Sequence, residues 1–421
     1  MKINPEHIKK YIPSLLLPTV RYLYCLYQEY CTRIVSKKYT QNTKRKNKKK
    51  HILIYGVAAL GMGGTEKNLQ MITKYLNREK YEVFFMYGIK PRKLWNYNWE
   101  MMEKRRSYLW DGDTTYIPFD YEKLSESHPY EIKGMTPHIV DIIEYHAIDI
   151  VITAWAGNAE FPLTDIRCPI IFLNIFGIPN TIKNIYYHIC ISQTIAREIA
   201  DIVPKSKIRS LYIPTEWPGM MTSDIEGVEF RKRYNIPLDG IVFWRIWRAD
   251  NSIYDPIGIK AFESIVKKYR DVYYVIVSPC SLLRDYIQKY TIKNIVLLEP
   301  IYDEKEVWKF HLSIDILAHF RSDGETFGLN IAESMICGNP IITHKSRIWN
   351  AHLEYLDSYN SFVTEIDDVE GYAQAMEYFV TDYNGQKRKK MWNNARKVAH
   401  SLFHIDSYIS KVEELIDNIH S

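Results

Sequence analysis

Two glutamates eight residues apart carry the sharpest chemical signal in the sequence. Glu325 and Glu333 sit in the run Gly324 to Glu333, GETFGLNIAE. An apolar strand pattern ends just before Glu325, and a helical pattern opens after it, so the first acid falls in a loop and the second a turn or more into a helix. An ionised carboxylate only accepts hydrogen bonds and can take two hydroxyl groups at once, a geometry that sugars offer and phosphates do not. The backbone N–H groups of Phe327, Gly328, Leu329 and Asn330 open the helix, and a helix N-terminus favours an anion such as a diphosphate. One loop can therefore hold a phosphate on its amides and hydroxyls on its two acids.

Such a loop needs a scaffold of strands and helices, and the sequence supplies one twice. After the last lysines of the N-terminus, HILIYGVAAL reads as a buried strand, GMGGTEKNLQMITKYL as a glycine turn opening a helix, and YEVFFMYG as a second strand. Further short strands follow at residues 149–152, 169–173, 187–191 and 208–213, with a helical run at 193–203. Residues 90–135, rich in tryptophan and charge, read as an insertion or long loops. A segment rich in Pro, Gly, Thr and Ser at 214–227 marks a boundary. Beyond it the alternation restarts: strands at 240–247, 272–278, 294–300, 314–320 and 340–344, helices between them, then helices to the C-terminus. The chain has 421 residues, too many for one core, and this order predicts an α/β protein of two Rossmann-like domains facing across a cleft. Ligands of open parallel sheets sit at the carboxyl ends of strands, so the loops there are where chemistry is expected. The expected division is an arm over 1–50, an N-terminal domain over 51–218, a C-terminal domain over 219–395 and a helical end over 396–421 that packs back toward the N-terminal domain.

The run around the glutamates resembles the E-x7-E motif of retaining glycosyltransferases of the GT4 family, which have the GT-B architecture. IDILAHFRSDGETFG before it and AESMICGNPIITH after it are similar to that family's flanks, and the resemblance extends over residues 51 to about 410. It implies transfer of a sugar from a nucleotide-diphosphate donor to a lipid-linked, glycan or other acceptor with retention of configuration. The nucleotide sugar is then a substrate, and neither a cofactor nor a metal is implied. Glu333 corresponds to the residue on the ribose, Glu325 to the residue on the donor sugar, and Arg245 with Arg248 to the diphosphate cations, so Glu325 and Arg245 are the implied catalytic pair. Phe327, Gly328, Leu329, Asn330, Gly63 and Gly64 fall in the implied donor loops. Glu66, Trp155, Phe176 and His319 fall where acceptor or cleft residues are expected. The sequence departs from the family at three places: Ile253 replaces the usual lysine, Phe176 the usual histidine near the reacting carbon, and Thr153-Ala154-Trp155 a further histidine pair. A non-catalytic nucleotide-sugar or glycan binder of the same fold is therefore the second reading. Asp111-Gly112-Asp113 has the form of a metal-binding DxD but lies in the irregular stretch, and His138, His146 and His188 have no partner spacing; these read as loop and structural residues. Trp217, like Trp155, ends a predicted strand and fits either sugar stacking or core closure.

Charge is distributed unevenly. Lys and Arg number 55 against 50 Asp and Glu, for a net +5, yet residues 1–50 hold thirteen of the cations and only Glu6 and Glu29, leaving a mildly acidic body. Residues 11–31 are apolar and aromatic but broken by Pro13, Pro18, Arg21, Gln28 and Glu29, so a membrane span and a secretory signal both fit poorly. Two readings of the arm stand: docking of residues 11–50 on an anionic membrane surface, and a solvated tail. The basic tract has no nucleic-acid reader motif beside it, so no nucleic-acid partner is expected. Six cysteines without CxxC pairs suit a reducing compartment, and the expected location is cytoplasmic, at most peripheral on the inner face of a membrane.

Overall fold

A computed structural model describes residues 48–88, 98–110, 112–119, 139–155, 168–216, 219–382 and 384–419. The N-terminal arm up to Asn47 and Asp111, His138 and Trp217 lie outside the described residues, as does the side chain of Trp155. Two compact units form: residues up to Leu211 together with Asp406–Ser421, and Tyr212–Ile405. The first crossing thus falls earlier than the boundary expected at 218, and the return falls later than the one expected at 395.

In the first unit, β1 (Lys50–Gly56), β2 (Tyr81–Gly88), β3 (Thr115–Phe119), β4 (Ile150–Trp155), β5 (Ile170–Asn174), β6 (Ile185–Cys190) and β7 (Ile208–Ser210) make one parallel sheet in the order β3-β2-β1-β4-β5-β6-β7. Helices α1 (Gly64–Tyr75), α2 (Trp99–Leu109), α3 (Ile139–Tyr145) and α4 (Gln193–Ile199) connect the strands. Parallel strands covered on both faces must be apolar nearly throughout, which is why Ile52, Leu53 and Ile54 are all fully buried. Residues 98–119, expected as loop, instead supply α2 and β3. The helix hid its period because Arg105 is buried beside Met101, Met102 and Leu109. The strand carries Pro118, tolerated because β3 lies at the sheet edge.

The second unit repeats the design. Helix α5 (Val228–Arg233) leads to β8 (Ile241–Ile246), then α6 (Ile257–Lys268), β9 (Val272–Val277), α7 (Ser281–Tyr290), β10 (Ile295–Leu298), α8 (Glu304–Leu312) and β11 (Ile316–Ala318). A two-residue strand β12 (Gly324–Glu325) precedes α9 (Leu329–Cys337) and β13 (Ile341–His344). Strand β14 (Trp349–Asn350), β15 (Ser361–Thr364), α10 (Val369–Val380) and α11 (Gln386–Leu402) complete it. The main sheet runs β10-β9-β8-β11-β13-β15, all parallel, and β12 pairs with β14 in a small parallel bridge. The strand β15 was not expected from the sequence. Phe243, Tyr274 and Ile316 pack on Phe262 and Ile265 of α6 and on Tyr372 and Phe379 of α10.

The last helix, α12 (Ile405–Asp417), closes on the first unit. Lys50 Nζ donates to the carbonyls of Ile416 (2.9 Å) and Ile419 (3.1 Å), where a helix end leaves acceptors unsatisfied and favours a cation. Tyr81 donates to Asp417 (2.8 Å) and the Asn77 amide to Glu413 (2.9 Å). No helix among the described residues is long and apolar enough to cross a membrane.

One buried ion network holds the second unit at the amino ends of its strands. Arg231 pairs with Asp315 (2.8 Å) and reaches the carbonyls of Ser313, Pro237, Leu238 and Gly240. Asp315 also accepts from the Val242 amide (2.9 Å) and Arg388 (3.0 Å), so α5, β8, β11 and α11 meet on one pair. Arg231→Met removes one of the two cations on Asp315 and leaves four carbonyls without their donor, and should cost about 3–5 kcal/mol in denaturant titration. Arg231→Lys should recover little, because a point charge cannot replace the fork.

Candidate functional site

Both sheets change their direction of growth once, between β1 and β4 in the first unit and between β8 and β11 in the second. Such switch points open a crevice past the carboxyl ends of the strands. In the second unit the chemically significant residues collect there: Arg245 from β8 and Arg248 just past its end, and His319, Arg321 and Glu325 from the segment after β11.

The backbone of that segment tolerates only glycine at two positions. Gly324 has φ +72°, and an added Cβ would lie 1.8 Å from the Trp349 carbonyl oxygen, because β12 and β14 run side by side. Gly328 has φ +92° and caps α9 without any side-chain hydrogen bond, leaving the first N–H groups of the helix to a ligand or water. Asn330 in the first turn donates to the Ile246 carbonyl (3.1 Å), which ties this helix end to the end of β8. The loop is tied again from β13, where the Arg321 amide donates to His344 Nε2 (3.2 Å).

Glu325 is the electrostatic centre. Its Oε1 lies 2.9 Å from His319 Nε2 and its Oε2 lies 3.6 Å from Arg321 Nη1. Burial alone would push its pKa up. The Arg321 charge, the His319 hydrogen bond and the charge of Arg245 outweigh burial and hold it at about 2. Burial pulls His319 down to about 3, and the charge of Arg245 adds to that effect, so the ring is neutral. A carboxylate can only accept, so Nε2 carries the proton and Nδ1 accepts from the Thr343 hydroxyl (3.1 Å). Arg321 is itself braced by Asp323 (2.8 Å). Glu333 lies farther along α9, 7% exposed, with Oε2 3.4 Å from His311 Nε2.

Several expected site residues take other positions. Arg245 is not open to a ligand: it is 1% exposed, its guanidinium lies 4.7 Å from the Trp247 ring and 5.1 Å from that of Phe320, and burial lowers its pKa to about 10. Arg248, paired with Asp250 at 3.0 Å and with 38% of its side chain exposed, is the accessible guanidinium of the two. Phe327 contributes backbone rather than ring. Its side chain is buried among Tyr212, Tyr355 and Phe403, and the Tyr355 hydroxyl donates to its carbonyl. His319, expected to line a cleft, is buried behind Glu325. Ile253 is a core residue at 5% exposure, so no cation replaces the lysine there. Nothing in the sequence alone marks Arg321 or His311 as partners of the two glutamates.

In the first unit, Gly63 and Gly64 form the turn after β1 and open α1. Glu66 folds back over that turn so closely that a Cβ at Gly63 would meet its Oε2 at 2.2 Å. Gln70 holds the turn from below, donating to the carbonyls of Ala59 (2.7 Å) and Gly61 (2.8 Å), and buried Arg105 holds Gln70 (2.7 Å). Trp155 ends β4, and Phe176, 39% exposed, follows β5 in a turn fixed by Asn174. All of these stand at the carboxyl edge of the first sheet.

With this geometry established, the comparisons with known proteins fall into place. Residues 256–398 match the Glycosyl transferases group 1 family. That stretch runs from the start of α6 into α11 and includes both glutamates. No curated protein matches the sequence. Among solved structures, HepE of Anabaena in complex with UDP and glucose superposes with a TM-score of 0.67 at 15% identity, covering 88% of this chain and 100% of that one. A glycosyltransferase from Rickettsia africae gives 0.67 at 17%, covering 89% and 100%. WaaG, a glycosyltransferase involved in lipopolysaccharide biosynthesis, gives 0.59 at 12%, covering 87% and 99%. The likeness establishes the fold, two Rossmann-like α/β units of the GT-B type.

The depressed pKa of Glu325 has a consequence for acid stability. A carboxylate at about 2 in the folded chain and near 4.5 otherwise stabilises the fold above about pH 4.5 and loses that contribution as pH falls toward 2. In Glu325→Gln, stability measured by denaturant titration should lose roughly 3 kcal/mol of its pH dependence across that window.

Proposed function

We propose that the chain is a retaining, metal-independent glycosyltransferase of the GT4 type that transfers a hexose-type sugar from a nucleotide-diphosphate donor. The observation that carries this reading is the pair Glu325 and Glu333 flanking the uncapped start of α9, together with Arg248 at the switch point of the second sheet. The family match over this segment and the UDP and glucose in the HepE complex support it. On this reading Glu333 accepts from the ribose hydroxyls and Glu325 from hydroxyls of the donor sugar. The helix N-terminus and Arg248 receive the diphosphate. The bond from the anomeric carbon to the phosphate oxygen breaks as the acceptor oxygen bonds the same face, and the acceptor's proton passes to the departing phosphate. The charge on the leaving diphosphate is the quantity to be stabilised, and preorganised donors do this without a side-chain nucleophile.

The proposed acceptor is a glycan or lipid-linked glycan, in keeping with the involvement of WaaG in lipopolysaccharide biosynthesis, met at the cytoplasmic face of a membrane through residues 11–50. A second reading, a nucleotide-sugar binder without turnover, is favoured by buried Ile253 and exposed Phe176 at positions where the family carries lysine and histidine.

A panel of nucleotide sugars separates the two: slow donor hydrolysis or transfer supports the enzyme, and binding to a donor without turnover on any acceptor supports the binder. Glu333→Ala should weaken nucleotide binding, and Glu325→Ala should abolish transfer with the fold intact by circular dichroism. Normal kinetics in both variants refute the site. Deleting residues 1–48 should release the protein from anionic vesicles in a flotation assay while donor binding persists, and unchanged flotation would return the arm to a solvated tail.

A further inference from the structure

Each of the two glutamates has a buried histidine behind it, and the two histidines come from different elements. His319 follows β11, is 1% exposed, and spans from the Thr343 hydroxyl on β13 to Glu325 Oε1. His311 sits near the end of α8, fully buried, with its ring edge-on to Trp244 at 4.8 Å and its own carbonyl accepting from Asn339 at 2.8 Å. Neither of its ring nitrogens makes a regular hydrogen bond among the described residues, and Glu333 Oε2 is 3.4 Å from Nε2. A buried polar ring left without a full partner costs about 1–3 kcal/mol, a cost that an apolar side chain packed on Trp244 would avoid. The ring is therefore better explained by the carboxylate it faces than by packing.

We infer that His319 and His311 are positioning residues, each fixing one oxygen of one glutamate from the buried side so that the remaining lone pairs are presented to donor hydroxyls. The inference rests on the donor reading of the two glutamates. A carboxylate on a flexible glutamate loses rotamer freedom when it binds a sugar, and a partner that has already fixed it removes that cost. The two contacts differ in state. Glu325 is already held by His319 at 2.9 Å, whereas the His311–Glu333 contact is at the long end for a hydrogen bond, as groups that tighten only around a ligand often are. The two histidines consequently act on different parts of the donor, His311 on the nucleoside end and His319 on the sugar end.

The test has a ligand-free part and a kinetic part. In full-length protein labelled with 15N-histidine, His319, assigned by its absence in His319→Gln, should show the Nε2–H tautomer, and its resonances should shift in Glu325→Ala. An Nδ1–H tautomer, or no response to Glu325→Ala, overturns the inference whatever the donor. For kinetics, UDP binding by calorimetry and UDP-glucose hydrolysis are the probes. His311→Leu should weaken UDP by about tenfold with kcat unchanged, the loss of one charge-assisted hydrogen bond. His319→Leu should lower kcat by at least about tenfold with the UDP affinity unchanged. The Gln variants, whose amide reaches the position of Nε2, should each recover most of the loss. Equal effects of Leu and Gln, or losses in both constants that track the melting temperature, overturn the inference and leave the histidines as packing residues. A wild-type protein that neither binds nor consumes a nucleotide sugar, with the tautomer and its response to Glu325→Ala intact, overturns the donor reading and leaves the His319–Glu325 contact established.

Discussion

Glu325 carries its negative charge largely withdrawn from water, with 13% of its side chain exposed, and such a carboxylate stays ionised only if charge and hydrogen bonds surround it. Much of the second unit's architecture can be read from that requirement. Arg321 and His319 meet the carboxylate directly, and Arg245 adds its field from a buried position against Trp247 and Phe320. Each of these needs support of its own. Asp323 braces Arg321, Thr343 donates to His319 Nδ1, and His344 holds the Arg321 backbone, so β11 and β13 are tied to the same anion. The glycines at 324 and 328 follow from the same demand for closeness: the loop must bend sharply beside β14 and then turn into α9 within a few residues, in conformations that other residues rarely adopt.

The two sheets show how one topology gives different loops different work. Both have the strand order of a doubly wound fold, with the switch point beside the first strand of the unit. At the first sheet the switch is lined by a glycine turn held from below by neutral and cationic hydrogen bonds through Gln70 and Arg105. At the second it is lined by a dense ion cluster. A turn built from backbone amides suits close approach of a ligand, and a clamped carboxylate suits discrimination among hydroxyls. The amino ends of the second unit's strands, by contrast, carry the Arg231–Asp315 network, which has no route to a ligand at the carboxyl edge and serves the fold alone.

What could be read from the sequence follows a physical rule. Parallel strands buried on both faces have to be continuous apolar runs, so HILIYG, VYYVIV and their like are legible, and the spacing of Glu325 and Glu333 is legible because a loop and a helix turn set it. Helix α2 and strand β3 were not, since a buried arginine breaks the helical period and a proline breaks the strand pattern, and only the tertiary setting makes either tolerable. The same limit explains Arg245 and Arg248. The sequence places both near the end of β8 but cannot say which is roofed by Trp247 and Phe320; Arg245 is buried and Arg248 is exposed. His311 was beyond reach for a further reason: it lies twenty-two residues before Glu333 on another helix, and only the packing of α8 beside α9 brings the two together.

The placement of cations finally bears on how a leaving diphosphate would be stabilised. With Ile253 in the core, Arg245 turned inward and Arg321 held by Asp323 and Glu325, Arg248 and the uncapped N-terminus of α9 are accessible positive groups at this edge among the described residues. The helix end supplies a fixed partial charge of roughly half a proton, oriented before any ligand arrives, while Arg248 must leave or share Asp250 to reach a phosphate. Preorganised dipoles contribute to a transition state without reorganisation, and a paired arginine contributes only after it has been released. On the proposed reading, the device that favours departure of the diphosphate is then mainly the backbone from Gly328 to Asn330. Its precision depends on the αL glycine at its start and on the Asn330 hydrogen bond that fastens it to β8.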